Sequence, residues 1–175
     1  MAYSIRKANQ TDVPQLEKLL VAYMRETYQC EWGGNAHQLE RDLFDKTFEI
    51  IAAENANKQI VGFIAWTDAY DLHWCLKGGD IIDLYVLAEK RGRGIGLLLA
   101  TELAAEIQKR GGAFLKGGAV GNAAVRRFYG RFAMCLEGGE SYVSGRAFRH
   151  LASLSGRRLR EIVKNLPLTD WNYQP

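Results

Sequence analysis

Asp80-Ile81-Ile82-Asp83-Leu84-Tyr85-Val86-Leu87 runs, three residues on, into Arg91-Gly92-Arg93-Gly94-Ile95-Gly96, and this junction sets the architecture. The first segment is short, apolar and β-branched, the pattern of a buried strand. From Ile95 to Arg110 the apolar residues take helical spacing. The glycines between them permit backbone conformations that side chains forbid and let a ligand approach the main chain. The first amides of a helix have no partner inside it, and their partial positive charge suits an anion. Arg91 and Arg93 add forked donors that match phosphate oxygens. The spacing rules out two familiar phosphate loops. No Gly-Lys-Ser/Thr closes a Walker loop, and Gly92, Gly94 and Gly96 alternate, with Leu97 next, instead of following G-x-G-x-x-G.

The rest of the chain bounds what this loop can serve. With 175 residues and 47% hydrophobic content, one domain with a real core is expected. No apolar run reaches the ~18 residues that span a bilayer, and the N-terminus lacks an apolar signal core, so no membrane contact is expected. Cys30, Cys75 and Cys135 are odd in number and widely spaced, which suggests neither a disulfide framework nor a zinc site. A reducing cytoplasm is the expected compartment. His37, His73 and His150 lack ligand spacing, so no metal is expected. The net charge of +3 favours an anionic cofactor mildly and gives no argument for nucleic acid.

Along the chain, Tyr3 to Lys7 alternates as a first strand. Asn9 to Asp12 offers helix caps, and Pro14 sits in the first turn of a helix with Val13, Leu16, Leu19, Leu20 and Met24 at helical spacing. Trp32-Gly33-Gly34-Asn35 breaks it, and a second helix carries Leu39, Leu43 and Phe44. Phe48 to Glu54 and Gln59 to Thr67 read as a hairpin around Asn55-Ala56-Asn57-Lys58. Asp68 to Gly79 reads as an irregular loop. After the key strand, loop and helix, Gly111-Gly112 forms a C-terminal cap and Ala113 to Val120 a strand. Gly121-Asn122 then caps a short helix through Phe132. Ser141 to Arg149 reads as one more strand, and Arg157 to Leu166 as a final helix.

Two motifs in this order carry a resemblance. Arg91-x-x-Gly94-x-Gly96 is similar to the coenzyme A loop of the GCN5-related N-acetyltransferases, the GNAT family. Asn122-Ala123-Ala124-Val125-Arg126-Arg127-Phe128-Tyr129 resembles the family's Asn-x-x-Ala/Ser-x-x-Phe/Leu-Tyr helix. The resemblance covers roughly residues 3 to 145 and implies a mixed α/β fold, a central mostly antiparallel sheet flanked by helices. It implies one N-acetyltransferase domain over 1–175, with a C-terminal extension from about 146. It implies acetyl-CoA as co-substrate. The backbone of Leu84, Tyr85 and Val86 would meet pantetheine, and Arg91, Gly92, Arg93, Gly94, Ile95 and Gly96 would cradle the pyrophosphate. Asn122 would bond the cofactor, and the Tyr129 hydroxyl would sit near the thioester sulfur.

Chemistry adds reasons of its own. When an amine displaces coenzyme A the leaving group is a thiolate, and a phenol can donate a hydrogen bond or proton to it. Tyr129 is therefore the candidate acid, and a core aromatic is the alternative. The amine must lose a proton before it attacks. Asp83 is the candidate base, because a carboxylate inside an apolar strand is costly unless it faces a cleft. Asp80 is the weaker second.

The acceptor is less constrained. The loop resembles the diamine/polyamine acetyltransferase branch, which favours a small-molecule acceptor of polyamine or amino acid type. That branch commonly has Glu-Asp where this chain has Ile82-Asp83. Asp71, Glu26 and Glu31 are further carboxylates placed near the expected mouth, and Trp32, Trp66, Tyr70 and Trp74 could wall a cation. Core packing explains Trp66 better. An aminoglycoside, a protein amine, an aminoacyl-tRNA, or a non-catalytic acetyl-CoA-binding role remain alternatives. Leu151, Leu154, Leu159, Ile162, Val163 and Leu166 in the extension suggest a homodimer interface, or else close the chain's own core.

Overall fold

Asn9 shows how local chemistry starts the fold. In the computed structural model, which describes residues 3–118, 123–135 and 139–166, its side chain accepts from Thr11 N at 2.9 Å. The Asp12 carboxylate accepts in return from Asn9 N at 2.8 Å, which closes a capping box before helix α1, Val13–Tyr28. Asn35 caps α2, Ala36–Phe44, by accepting from Gln38 N at 3.0 Å. Strands β1, Ser4–Lys7, and β2, Glu49–Glu54, pair antiparallel with Ser4 opposite Glu54. The chain continues through β3, Ile60–Asp71, β4, Leu76–Val86, α3, Ile95–Lys109, and β5, Phe114–Gly118. Then come α4, Ala123–Tyr129, β6, Met134–Cys135, β7, Glu140–Ser144, α5, Gly145–Ser153, and α6, Leu159–Lys164.

Seven strands form a mixed sheet in the order β1-β2-β3-β4-β5-β7-β6. The β4–β5 pair is parallel, whereas β5–β7 and β6–β7 are antiparallel. The backbone groups into two compact units, Met1–Ala65 with Asp83–Leu99, and Trp66–Ile82 with Ala100–Pro175.

In the first unit Val13, Leu16 and Leu19 of α1 and Leu39 and Leu43 of α2 bury against Ile50, Ala52, Phe63 and Tyr85. An ion cluster closes one side. Arg6 donates to Asp12 Oδ1 at 2.8 Å and to Glu54 Oε2 at 2.7 Å, and both carboxylates are buried. The Arg6 hydrogen bonds hold the Asp12 and Glu54 carboxyls below their ordinary range. Carboxylates of this kind contribute stability that is present above the unfolded pKa and lost as pH falls through the folded one. Arg6→Ala is therefore expected to lower Tm at pH 7 by several degrees. It should also flatten the loss of Tm that the wild type shows below about pH 4. Thermal melts across pH check both.

In the second unit the β4–β5 ladder runs from Gly78 opposite Phe114 to Ile81 opposite Gly117. Gly78 is required there, since an added Cβ would lie 2.4 Å from Phe114 Cδ1. The expected irregular loop from Asp68 to Gly79 is shorter than the sequence reading gives. β3 runs to Asp71 and β4 starts at Leu76, so only residues 72–75 turn. The reason is a long-range contact. Asp71 Oδ1 accepts from His73 N at 2.9 Å and Asp71 Oδ2 accepts from Tyr142 Oη at 2.6 Å, which ties the turn to β7.

The expected strand from Ser141 to Arg149 is also corrected. β7 ends at Ser144, Gly145 turns with φ +58°, and α5 follows. Ala147, Phe148, Leu151 and Ala152 are buried at helical spacing, which favours helix over strand. The helix expected to reach Phe132 stops at Tyr129, whose carbonyl accepts from Phe132 N and Ala133 N at 2.9 and 2.8 Å. The last helix spans Leu159–Lys164, shorter than expected. Leu151, Leu154, Ile162 and Leu166 are buried in this chain, and of the suggested interface set Val163 is the one large hydrophobic exposed, at 41%. Their burial is what the own-core alternative expects. Among the described residues no helix is long and apolar enough to cross a membrane.

Candidate active site

The glycine-rich loop sits where the sequence places it. A short helical turn, Ala88–Lys90, precedes it and was not anticipated. Gly92 and Gly94 take φ of +72° and +78°, the left-handed region that favours glycine. The Gly94 carbonyl accepts from Leu97 N and Leu98 N at 3.0 and 3.1 Å, so Gly94 caps α3. Ile95 is buried and anchors the helix start, while Arg93 is exposed. These features place a glycine-rich turn at a helix N-terminus, an arrangement that suits an anion. Leu84, Tyr85 and Val86 lie beyond the last pair of the β4–β5 ladder.

Asp83 and Tyr85 alternate onto one face of β4, and Tyr23 and Glu26 lie three residues apart on α1. The contacts between the two elements are reciprocal. Tyr23 Oη donates to Asp83 Oδ1 at 2.5 Å, and Tyr85 Oη donates to Glu26 Oε2 at 3.2 Å. Each element thus supplies one phenol and one carboxylate. The rings pack as well, Tyr23 on Tyr85 at 5.5 Å and Tyr23 on Tyr28 at 5.8 Å between centroids. The Tyr28 and Tyr23 hydroxyls are 3.5 Å apart, and Tyr28 is exposed.

The electrostatics separate the two carboxylates. Burial raises the pKa of Asp83, and the Tyr23 hydrogen bond opposes that rise only in part. Hydrogen bonds from Arg91 lower the pKa of Glu26. Burial raises both Tyr23 and Tyr85, so these phenols stay protonated. Asp83 is thus a half-buried carboxylate facing one neutral donor, the Tyr23 hydroxyl.

Arg91 is not where a phosphate ligand alone would put it. Its Nε donates to Val86 O at 2.8 Å, its Nη2 donates to Glu26 Oε2 at 2.8 Å, and its Nη1 donates to Glu26 Oε1. The guanidinium also lies over the Tyr85 ring at 5.4 Å. Glu31 is paired likewise, accepting from Arg25 Nη2 at 2.9 Å.

In the second unit Tyr129 is buried at the end of α4, packed on Phe128 and Phe132 at 5.2 and 5.8 Å between ring centroids. Asn122 lies outside the described residues. Asp71 holds its hairpin together, as above, and Asp80 pairs with Lys116 Nζ at 3.3 Å. Trp66 is 1% exposed beneath the Arg110 guanidinium, as core packing requires, while Tyr70 and Trp74 are exposed at the hairpin. Trp32 packs on the first unit's core. Among the described residues no group of three His, Cys, Asp or Glu side chains could hold a metal. Sequence reasoning missed Tyr23 and Tyr28. Their positions on α1 read as ordinary helix, and only the Tyr23 contact to a residue 60 positions away marks them.

Comparison with known proteins places the chain in a family. The model of the acetyltransferase (GNAT) family matches residues 13–134. No curated protein matches the chain. Among solved structures, the fold is similar to a ribosomal-protein-alanine N-acetyltransferase from Brucella melitensis biovar Abortus 2308, with 24% identity, 78% of this chain and 94% of that one covered, and a TM-score of 0.65. It is similar to the PaiA N-acetyltransferase of Thermoplasma acidophilum in complex with coenzyme A, with 17% identity, 83% and 100% coverage, and a TM-score of 0.65. It is also similar to an aminoglycoside acetyltransferase from an uncultured soil metagenomic sample in complex with sisomicin, with 18% identity, 72% and 84% coverage, and a TM-score of 0.61. The chain belongs to the acetyltransferase (GNAT) family and has its mixed α/β fold.

Proposed function

We propose that this acetyltransferase moves the acetyl group of acetyl-CoA to a primary amine of a small molecule, of polyamine or amino acid type, by direct attack in a ternary complex. The observation that carries this reading is Asp83. It is a half-buried carboxylate, hydrogen-bonded by a phenol, on the strand that leads through the Ala88–Lys90 turn into the glycine-rich loop. Such a group is costly to keep unless it meets a cation or a proton in the reaction.

In this reading Asp83 takes the proton that the amine loses. The amine nitrogen attacks the thioester carbon, the carbon–nitrogen bond forms and the carbon–sulfur bond breaks. Tyr129 donates to the departing sulfur. Gly92, Gly94, Ile95 and Gly96 present backbone to the pyrophosphate, with Arg91 and Arg93 as its charged partners. Leu84, Tyr85 and Val86 present backbone to pantetheine, and Asn122 bonds the same cofactor. Residues 1–175 form one catalytic domain in this reading, with its core at about 3–145 and an extension from about 146, and no metal enters the chemistry.

The test is release of coenzyme A thiol from acetyl-CoA across an amine panel. Putrescine, spermidine, spermine, free amino acids, aminoglycosides and lysine peptides would be compared. Turnover confined to small amines is expected. Turnover confined to lysine peptides, or none despite bound cofactor, would reject the small-molecule reading.

A further inference from the structure

Arg91 and Glu26 stand in a relation that the phosphate loop alone does not explain. A guanidinium has five N–H donors. In the structure three are engaged by protein, one by the Val86 carbonyl and two by Glu26, so the Nη1/Nη2 edge, which can grip a phosphate bidentately, is taken by Glu26. Both partners remain open to solvent, with 46% and 40% of their side chains exposed. The pair is therefore neither sealed in the core nor a passing surface contact. Glu26 Oε2, which takes the Arg91 Nη2 bond, also accepts from Tyr85 Oη at 3.2 Å, so Glu26 keeps an anchor when Arg91 leaves.

We propose that Glu26 competes with the cofactor's phosphate for Arg91, and that cofactor binding releases the Glu26 carboxylate toward the face that carries Asp83. This rests on reading the loop as the coenzyme A site. The release needs no change in α1 or β4. One charge-assisted bidentate pair is exchanged for another, and a single negative charge is left uncompensated beside Tyr85. Tyr23 and Glu26 share a face of α1, and their partners Asp83 and Tyr85 share a face of β4, so the freed carboxylate and Asp83 lie along one seam. The seam would take a second ammonium group, and the amine would bind better after the cofactor than before it. By linkage the amine would tighten the cofactor by the same factor.

Calorimetric titration of the full chain with coenzyme A at low salt tests the first half. Glu26→Gln removes the competing charge and keeps an oxygen for Tyr85. Binding roughly 2- to 5-fold tighter than wild type is expected, the range for one half-exposed ion pair. Arg91→Ala should bind several-fold weaker, and Glu26→Gln should have no effect in that background. Equal or weaker binding by Glu26→Gln, with Arg91→Ala weakened, overturns the competition and leaves the loop reading intact. Unchanged binding by Arg91→Ala removes the arginine from the cofactor site and the proposal with it. The second half is tested with putrescine titrated into protein with and without saturating coenzyme A. Tighter binding with the cofactor in wild type, lost in Glu26→Gln, is expected. Absence of that coupling overturns the release.

Discussion

Asp83→Asn is expected to lower kcat by about 10²- to 10⁴-fold, the usual contribution of a positioned general base, with little change in cofactor affinity. Asparagine keeps the size of the side chain and an acceptor for the Tyr23 hydroxyl, so the α1–β4 contact survives. What it loses is the ability to take a proton. The wild-type pH profile carries the same prediction with its sign. Asp83 acts as a base only when ionised, and burial raises its pKa above the ordinary carboxylate value of ~3.9. The acid limb of kcat/KM is therefore expected above that value, and absent from the residual rate of Asp83→Asn. Stability should move the other way. A carboxylate whose pKa is raised by folding favours the fold at low pH and opposes it once ionised. Near pH 7 Asp83→Asn should melt at or above the wild-type Tm. A slow variant that is at least as stable excludes misfolding as the cause.

Tyr129→Phe is the second large effect. The ring is buried and packs on Phe128 and Phe132, contacts that phenylalanine reproduces. Losing the hydroxyl should cost about 1–3 kcal/mol of stability. Turnover is expected to fall by about 10²-fold or more, because the departing thiolate loses its donor. A phenol hydrogen bond strengthens as the sulfur gains charge. Affinity for coenzyme A should change little, since the interaction strengthens only in the transition state. Steady-state kinetics beside a thermal melt separates the two roles. Unchanged kcat with a lowered Tm would make Tyr129 a packing residue alone.

Much of the fold was legible because its signals are local. The Asn9 and Asn35 caps, the apolar stripe of α1, the Asn55 turn and the strand–glycine–helix junction each depend on residues within one or two turns of each other. The errors fall where distant residues decide. The 72–75 turn is set by Tyr142, which is 71 positions from Asp71, and no local pattern announces it. Gly145 ends β7 through its positive φ, and the helical spacing after it, Ala147, Phe148, Leu151 and Ala152, is where the strand reading misplaces the boundary. The site divides in the same way. Asp83 and the loop stand out because a carboxylate and glycines are conspicuous in apolar surroundings. Tyr23 and the Arg91–Glu26 pair do not, since the latter joins residues 65 positions apart and each alone reads as an ordinary helix or loop residue.

The most direct test of the account is the acetyl balance of a single reaction. Acetyl-CoA labelled in the acetyl group would be incubated with the protein and an amine from the active class, and thiol, acetylated amine and protein mass followed together. One acetylated amine per thiol released, no thiol without the amine, no acetyl on the protein, and intersecting initial-rate lines are predicted for direct attack in a ternary complex. Thiol released without an acceptor, acetyl left on the protein, or parallel lines would contradict it.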